Sequence, residues 1–269
     1  MTTTYYDVPL LKAPVWTWEV PLYFFVGGAA GGAAVIASVA EWAGTQDTLV
    51  RDARWVAAAG GPASAALLIA DLGRPERFLN MLRVLKPQSA MSIGSWTLAT
   101  FSATSTAALL PAFAKAVSTT SAALGAVMLT YTGVLIGATA IPVWHENVRL
   151  LPIHFAASGV ASAVAILTLM GHDEPALNDL AIGAAAVETI IGAMIETRDT
   201  PAMAPLREGA SGWVIRAGGF LSGPVPIVIR ALSRDRGWRR VASVAAIAGS
   251  ILTRLGWIAA GRVSARQKP

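Results

Sequence analysis

The sequence has 269 residues, of which 54% are hydrophobic and 14% charged, and its formal net charge is +5. A soluble domain of this size carries about a quarter charged residues, so this composition predicts a membrane protein. The sequence has no cysteine, which excludes disulfides, thiolate-bound iron–sulfur clusters and cysteine nucleophiles. The basic residues are spread over loops, which suits anionic lipid head groups and argues against nucleic-acid binding.

Apolar blocks of about 20 residues, long enough to cross a ~30 Å hydrocarbon layer, recur between Pro, Gly and charged residues. They predict an all-α integral membrane protein with eight transmembrane helices, at about residues 18–42, 54–72, 94–114, 120–143, 150–171, 176–196, 211–232 and 240–262. We expect the first span to be retained. It is too long for the apolar core of a signal peptide, and acidic residues flank its start.

The stretch from Arg74 to Ser92 mixes basic residues with apolar residues at helical spacing, which predicts a short amphipathic helix in the membrane interface. Eight spans place both termini on one face, called side A here, together with the loops after spans 2, 4 and 6. The opposite face is side B. Lys and Arg are nearly balanced between the two faces, so the positive-inside rule does not orient the chain.

Polar residues gather at side A. Glu19 opens span 1, Asp71 closes span 2, His145 and Glu146 follow span 4, and His154 enters span 5. One interpretation is that these are ordinary solvated helix ends. The other is a quinone site, because a quinone head group needs hydrogen-bond partners and a proton route near one membrane face.

Two features of the spans allow a structural and a functional interpretation. The glycines of span 1, Gly27, Gly28, Gly31 and Gly32, allow close approach of a helix or a flat ligand, and helix packing is the favoured interpretation. Tyr131, near the middle of span 4, needs a partner for its hydroxyl group. That partner is either a backbone carbonyl in a packed core or a ligand.

Glu188 and Arg254 lie at matching depths in spans 6 and 8. We expect them to form a structural ion pair, in preference to a proton relay, because an unpaired charge inside a membrane is costly. The three histidines, His145, His154 and His172, lie near span ends and do not face each other as heme ligands would. No metal-binding spacing is present.

Four stretches of the sequence carry a more specific pattern. They are WTWEVPLYFFVGGAAGG at 16–32, DLGRPERFLNML at 71–82, KP…MSIGSW within 86–96, and YTGVL…IPVW within 131–144. Over residues 14–200 the chain resembles the NrfD/polysulfide reductase membrane subunit family. The last two spans match that family only in hydropathy.

The resemblance implies two four-helix bundles, residues 1–147 with a quinone site and residues 148–269. It implies menaquinone or ubiquinone as the bound substrate, with no heme and no iron–sulfur cluster in this chain. The implied partners are a ferredoxin-like subunit with several iron–sulfur clusters and a molybdopterin-type catalytic subunit. The implied location is the inner (plasma) membrane, which the chain crosses several times.

The resemblance also implies roles for single residues. Tyr131 would contact the quinone head group, with Glu19 nearby, Asp71 would exchange protons, and Arg74 and Arg77 would dock the partner. From the residues themselves we add Gly28 and Gly31 of the first span as candidate quinone contacts, and Glu19 and His145 beside Asp71 as candidates for proton relay.

The resulting expectation is a membrane-anchor, quinone-reactive subunit of an oxidoreductase complex that is not catalytic alone. Two alternatives stay open, a proton-translocating subunit of such a complex and a passive anchor without a quinone site. The substrate of the catalytic partner and the direction of electron flow stay open too.

Overall fold

The computed structural model describes residues 11–110 and 114–267, and in this part of the chain all regular secondary structure is helical. The helices are α1 (Glu19–Trp42), α2 (Asp47–Asp71), α3 (Glu76–Met81), α4 (Ala90–Ala107), α5 (Ala114–Gly137), α6 (Pro142–His145), α7 (Leu151–Leu169), α8 (Pro175–Glu196), α9 (Ala204–Arg207), α10 (Gly209–Ser222), α11 (Pro224–Leu232) and α12 (Arg236–Ser264).

Seven segments in the described ranges are long and apolar enough to cross a membrane, which confirms a multi-pass helical membrane protein. They are α1, α2, residues 115–137 of α5, α7, α8, the α10–α11 segment and α12. The third predicted span corresponds to α4, which is not among these seven segments and in which eight of the 18 residues are Ser or Thr. Seven of the eight predicted spans therefore correspond to segments that could cross a membrane, and the eighth is not confirmed.

Proline residues explain where the helices depart from the predicted spans. The fourth span was expected to reach residue 143, but α5 ends at Gly137 and the short α6 begins at Pro142. The seventh span is broken at Gly223, because Pro224 has no N–H and its ring would clash with the preceding helical turn. The expected interfacial helix forms over only six residues, Glu76–Met81.

Helix α1 lies at the centre of the molecule and packs against α2, α5, α7 and α12. Its small residues make this possible. A Cβ on Gly31 would come 2.5 Å from the Gly125 carbonyl oxygen of α5, and one on Gly32 would come 3.1 Å from the Gly159 carbonyl oxygen of α7. Two neighbouring helices therefore approach the α1 backbone closely, as small residues allow in membrane proteins.

Contacts at the two helix ends define the two faces. At side A, Arg262 donates a hydrogen bond to the Trp16 carbonyl oxygen, so the two ends of the described chain meet. At side B, Asp52 of α2 lies 3.0 Å from the His172 Nε2 atom in the turn after α7. Hydrogen bonds therefore join the early and late helices on both faces.

Candidate functional site

A cavity of about 70 Å³ lies at the side A end of α1, α2, α4 and α5. Its walls combine polar groups with apolar and aromatic ones. The lining residues include Trp16, Tyr23, Phe24, Leu68, Asp71, Met81, Met91, Ser95, Tyr131 and Leu135. Such a mixture is typical of a small-molecule site, in which a few polar atoms orient a ligand against an apolar wall.

Tyr131 reaches this cavity across the face of α4. A Cβ on Gly94 would come 1.8 Å from the Tyr131 Cζ atom, so the ring occupies the space that any other residue would fill. Tyr131 is buried, with 6% of its surface exposed. Six residues separate it from the end of α5, which places it roughly 9 Å below that end.

The hydroxyl group of Tyr131 has no hydrogen-bond partner within residues 11–110 and 114–267. A buried phenol normally finds a partner, because an unmet hydrogen bond in an apolar setting costs free energy. Of the two alternatives for this hydroxyl, the bond to a backbone carbonyl is not formed among the described residues. The hydroxyl is therefore available to a ligand in the cavity.

Asp71 is joined to Glu19 through Thr17. The Thr17 backbone N–H donates to the Asp71 Oδ1 atom at 3.1 Å, and the Thr17 hydroxyl lies 3.2 Å from the same oxygen. That hydroxyl also contacts the Glu19 Oε2 atom. It carries one proton, so it can donate to only one carboxylate at a time. Asp71 lines the cavity, and the bridge connects it to Glu19 at the side A surface.

Trp16 forms a rigid part of the cavity wall. Its ring stacks on Trp144 with centroids 5.6 Å apart and planes 14° apart, and it meets Phe24 edge-on at 6.4 Å. The Trp144 Nε1 atom donates to the Trp257 carbonyl oxygen at 2.9 Å. The wall of this cavity is thus fixed in part by a contact with the last helix.

A family model described as polysulfide reductase (NrfD_2) matches residues 1–266. The chain belongs to this family. Membership makes it a membrane subunit of an oxidoreductase complex. No curated protein gives a significant match to the sequence.

The segment that joins α2 to α4 lies beside the cavity. Leu72 and Met81 contribute to the cavity wall, and Met81 is the last residue of α3. Arg74 and Arg77 are exposed on the same segment. The two arginines predicted to dock a partner therefore lie next to the cavity but do not line it.

Four of the residues predicted for the quinone site lie outside the cavity wall, namely Glu19, Gly28, Gly31 and His145. Gly28 faces α7 and α12, where a Cβ would come 3.6 Å from the Gly159 Cα atom, and Gly31 faces α5. These contacts are those of helix packing, the interpretation favoured for the glycines. His145 is exposed at the end of α6.

Glu188 and Arg254 lie in one buried cluster between α7, α8 and α12, and each is 1% exposed. Ser158 stands between them. Its hydroxyl accepts a hydrogen bond from the Arg254 Nη1 atom at 2.9 Å and interacts with the Glu188 carboxylate. Ser222 donates to the Glu188 Oε1 atom at 2.8 Å. The two charges attract each other, and Ser158 lies between the two side chains.

Sequence reasoning did not select Thr17, Tyr23, Gly94 or Ser95 as site residues. Thr17 and Gly94 lie within the stretches that carry the family resemblance, so the signal was present there. Their roles depend on contacts between α1 and α2 and between α4 and α5, which spacing along one helix does not reveal.

Proposed function

We propose that this chain is the quinone-reactive subunit of its oxidoreductase complex and passes electrons between the membrane quinone pool and an iron–sulfur partner. The observation that carries the proposal is the side A cavity. It brings a buried, unpartnered phenol and a carboxylate to one apolar pocket. Met81 and Met91 in its wall are flexible side chains that can move to admit a ring.

The residues of the cavity supply position, exclusion of water and a proton path. Tyr131 donates a hydrogen bond to a ring oxygen of the substrate, while Trp16 and Phe24 keep water from it. Asp71 exchanges a proton with the reacting oxygen, and Thr17 with Glu19 connects Asp71 to side A. A bound quinone or quinol supplies the two-electron chemistry. His145 lies outside this relay, and we assign proton exchange to Asp71 and Glu19.

The partner subunits follow from this assignment. A multi-cluster iron–sulfur subunit would dock at side A over Arg74 and Arg77, because an electron must tunnel the short distance from the cavity to a cluster. A molybdopterin-type subunit would carry the catalytic reaction. The quinone would be menaquinone or ubiquinone of an inner (plasma) membrane.

We also propose that α4 is the eighth span. Its hydroxyl groups bond to carbonyls of their own helix, as Thr100 does to Trp96 and Ser102 to Leu98, both at 2.8 Å, which reduces their polarity in lipid. An odd number of crossings would put the chain ends on opposite faces, whereas Arg262 contacts Trp16. Eight spans would divide into bundles at 1–147 and 148–269.

The proposal is tested by the quinone content of the complex after mild purification. We expect at least one quinone per chain in the wild type and about one fewer in a Gly94→Leu variant, whose side chain would enter the space of Tyr131. A Gly183→Leu variant is the matched control, since a Cβ on Gly183 meets no atom within 4 Å. A wild-type complex free of quinone would support a passive anchor instead.

A second candidate function, proton translocation, is favoured by a column of polar groups in the second half of the chain. The Glu188–Ser158–Arg254 cluster continues to Ser250 and Ser162, joined at 3.1 Å. Roughly 9 Å further along α7 lies Thr168, in a second cluster with Arg230 and Ser243.

Proton uptake by vesicles containing the whole complex separates the two functions. Translocation predicts uptake beyond the protons consumed by quinone chemistry, and it predicts that Glu188→Gln removes this excess. A quinone site alone predicts no excess in the wild type.

A further inference from the structure

A second and larger cleft, of about 250 Å³, lies in the other half of the molecule between α8 and α10. It runs from Glu188, about mid-way along α8, to Glu196 at the side A end of that helix, roughly 12 Å further on. Phe220 and Ala193 are exposed residues at its mouth. The cleft therefore opens sideways, on the surface that faces lipid.

Three buried polar atoms with no hydrogen-bond partner belong to side chains that line this cleft. They are the Nδ1 atom of His154, the Oε2 atom of Glu188 and the Nε1 atom of Trp257. Their side chains are 4%, 1% and 2% exposed. Ten side-chain N or O atoms in the described residues are buried without a hydrogen-bond partner, and three of them belong to this one cleft, which indicates that something bound there satisfies them.

Two glycines give the cleft its shape. Gly192 of α8 and Gly219 of α10 both line it. A Cβ on Gly219 would meet no atom within 4 Å, and one on Gly192 would meet only the His154 Cε1 atom at 3.8 Å. No close helix contact requires these glycines. Their effect is to leave a slot between two helix backbones, which suits a flat molecule.

Water alone matches the cleft poorly. A volume of 250 Å³ holds roughly eight molecules of liquid water, each of which needs two to four polar partners. The walls supply mainly apolar groups, such as Leu206, Ile215 and Phe220. The three unpartnered polar atoms lie at the inner part of the cleft, Arg216 and Glu196 pair with each other at its side A end, and the apolar surface leads outward to lipid.

We infer that this cleft binds a neutral amphiphile with a flat ring that carries hydroxyl or carbonyl groups and an apolar tail. The Trp257 N–H can only donate, so the head group must accept a hydrogen bond. The Glu188 carboxylate accepts, so the head group must also donate. A quinol-type ring meets both needs and leaves its tail toward the mouth. The site is separate from the Tyr131 cavity and does not depend on the function proposed for it.

The test is a titration of the purified complex in lipid nanodiscs with 2-heptyl-4-hydroxyquinoline N-oxide, a fluorescent amphiphile of this chemistry. We expect two molecules bound per chain in the wild type. Gly219→Leu should fill the slot and leave one, and Gly183→Leu, on an exposed part of α8, should leave two. Trp257→Phe should weaken one of the two sites about three- to tenfold, as expected for one lost hydrogen bond.

The outcomes separate this site from the Tyr131 cavity. One bound probe that is insensitive to Gly219→Leu and is lost in Gly94→Leu would overturn the second site and leave the proposed function intact. One bound probe that is lost in Gly219→Leu and kept in Gly94→Leu would support the second site while the proposed function fails. If Gly219→Leu has low thermal stability, the probe affinities of Trp257→Phe test the second site instead. Unchanged affinities at every site in that variant would overturn the inference.

Discussion

The ring of Tyr131 lies against the backbone of Gly94, so that a Cβ at position 94 would come 1.9 Å from the tyrosine hydroxyl oxygen. Helix α5 can present this phenol to the cavity only because α4 carries no side chain at that position. The catalytic role proposed for Tyr131 therefore depends on a glycine from a different helix.

We expect Gly94→Ala to reduce quinone-coupled turnover at least about tenfold. The added methyl group must displace the ring or separate α4 from α5, and overpacking of this kind costs about 1–3 kcal/mol. Turnover is measured with a short-chain quinol on the whole complex. Gly183→Ala, at an exposed position without close neighbours, should match the wild type. Wild-type turnover in Gly94→Ala would show that the position of the ring does not matter.

Tyr131→Phe should lower quinone-coupled turnover about tenfold or more, while the complex assembles normally. The variant keeps the ring that packs on Gly94 and removes only the hydroxyl group, which has no partner among the described residues. Loss of one hydrogen bond that strengthens in the transition state is worth about 1–2 kcal/mol. Activity with an artificial electron donor that bypasses the quinone is the control and should not change. Equal loss in both assays would point to misfolding.

Tyr131 and Asp71 could be predicted as site residues because each stands out within its own span, as a phenol in an apolar helix and an acid at a helix end. Gly94 and Thr17 could not, since a glycine and a threonine are common in membrane helices and their loops. Their importance arises from contacts made across helices. A single sequence does not contain that information unless a resemblance supplies it.

The positions of the helices could be predicted from hydropathy. Their ends and breaks could not, because hydropathy does not report backbone conformation. The break at Gly223 lies inside a segment apolar enough to span the membrane, and it is Gly223, Pro224 and Pro226 that signal it. Helix α4, which the sequence predicts as a span, is a different case. Its Ser and Thr residues lower its hydropathy, although the side-chain hydroxyls bond within the helix.

Thr17→Val should slow quinone-coupled turnover, because valine has nearly the same shape but cannot bridge the two carboxyl groups. Thr17→Ser keeps the hydroxyl group and should restore most of the rate. The backbone N–H bond to Asp71 remains in both variants, so the position of Asp71 is held constant. The pH dependence of turnover is the measurement. A Thr17→Val profile that coincides with the wild type would remove the relay through this residue.

Arg254→Leu should lower the yield of folded protein. The guanidinium group donates to Ser158 and to the Phe155 carbonyl oxygen and lies 4.8 Å from the centroid of the Phe155 ring. Its loss leaves the Glu188 charge buried without a counter-charge, and breaking a buried pair in this way costs about 3–5 kcal/mol.

The double variant Glu188→Gln with Arg254→Leu should recover part of that yield, because no buried charge is left over. Yield after solubilisation and the midpoint of thermal unfolding are the measurements. If the double variant loses as much as the two single variants combined, the two charges act independently.

Asp173, in the turn between α7 and α8, should make stability depend on pH at side B. Its carboxylate contacts Arg239 and lies 3.0 Å from the Arg236 Nε atom. Partial burial pushes the pKa of Asp173 upward, but the hydrogen bonds and charges of the two arginines outweigh this and lower it below its usual value.

A lowered pKa means that the folded state binds the proton less readily than the unfolded chain. The stabilisation is therefore present above the unfolded pKa of about 3.9 and is lost as the pH falls through the lower folded value. The midpoint of thermal unfolding in nanodiscs should be higher for the wild type than for Asp173→Asn at pH 7 and pH 5, and the difference should narrow below about pH 4. Asp179→Asn, at an exposed position with no ion pair among the described residues, is the control. A difference that stays constant down to pH 3 would mean that the pairing with the arginines does not stabilise the fold.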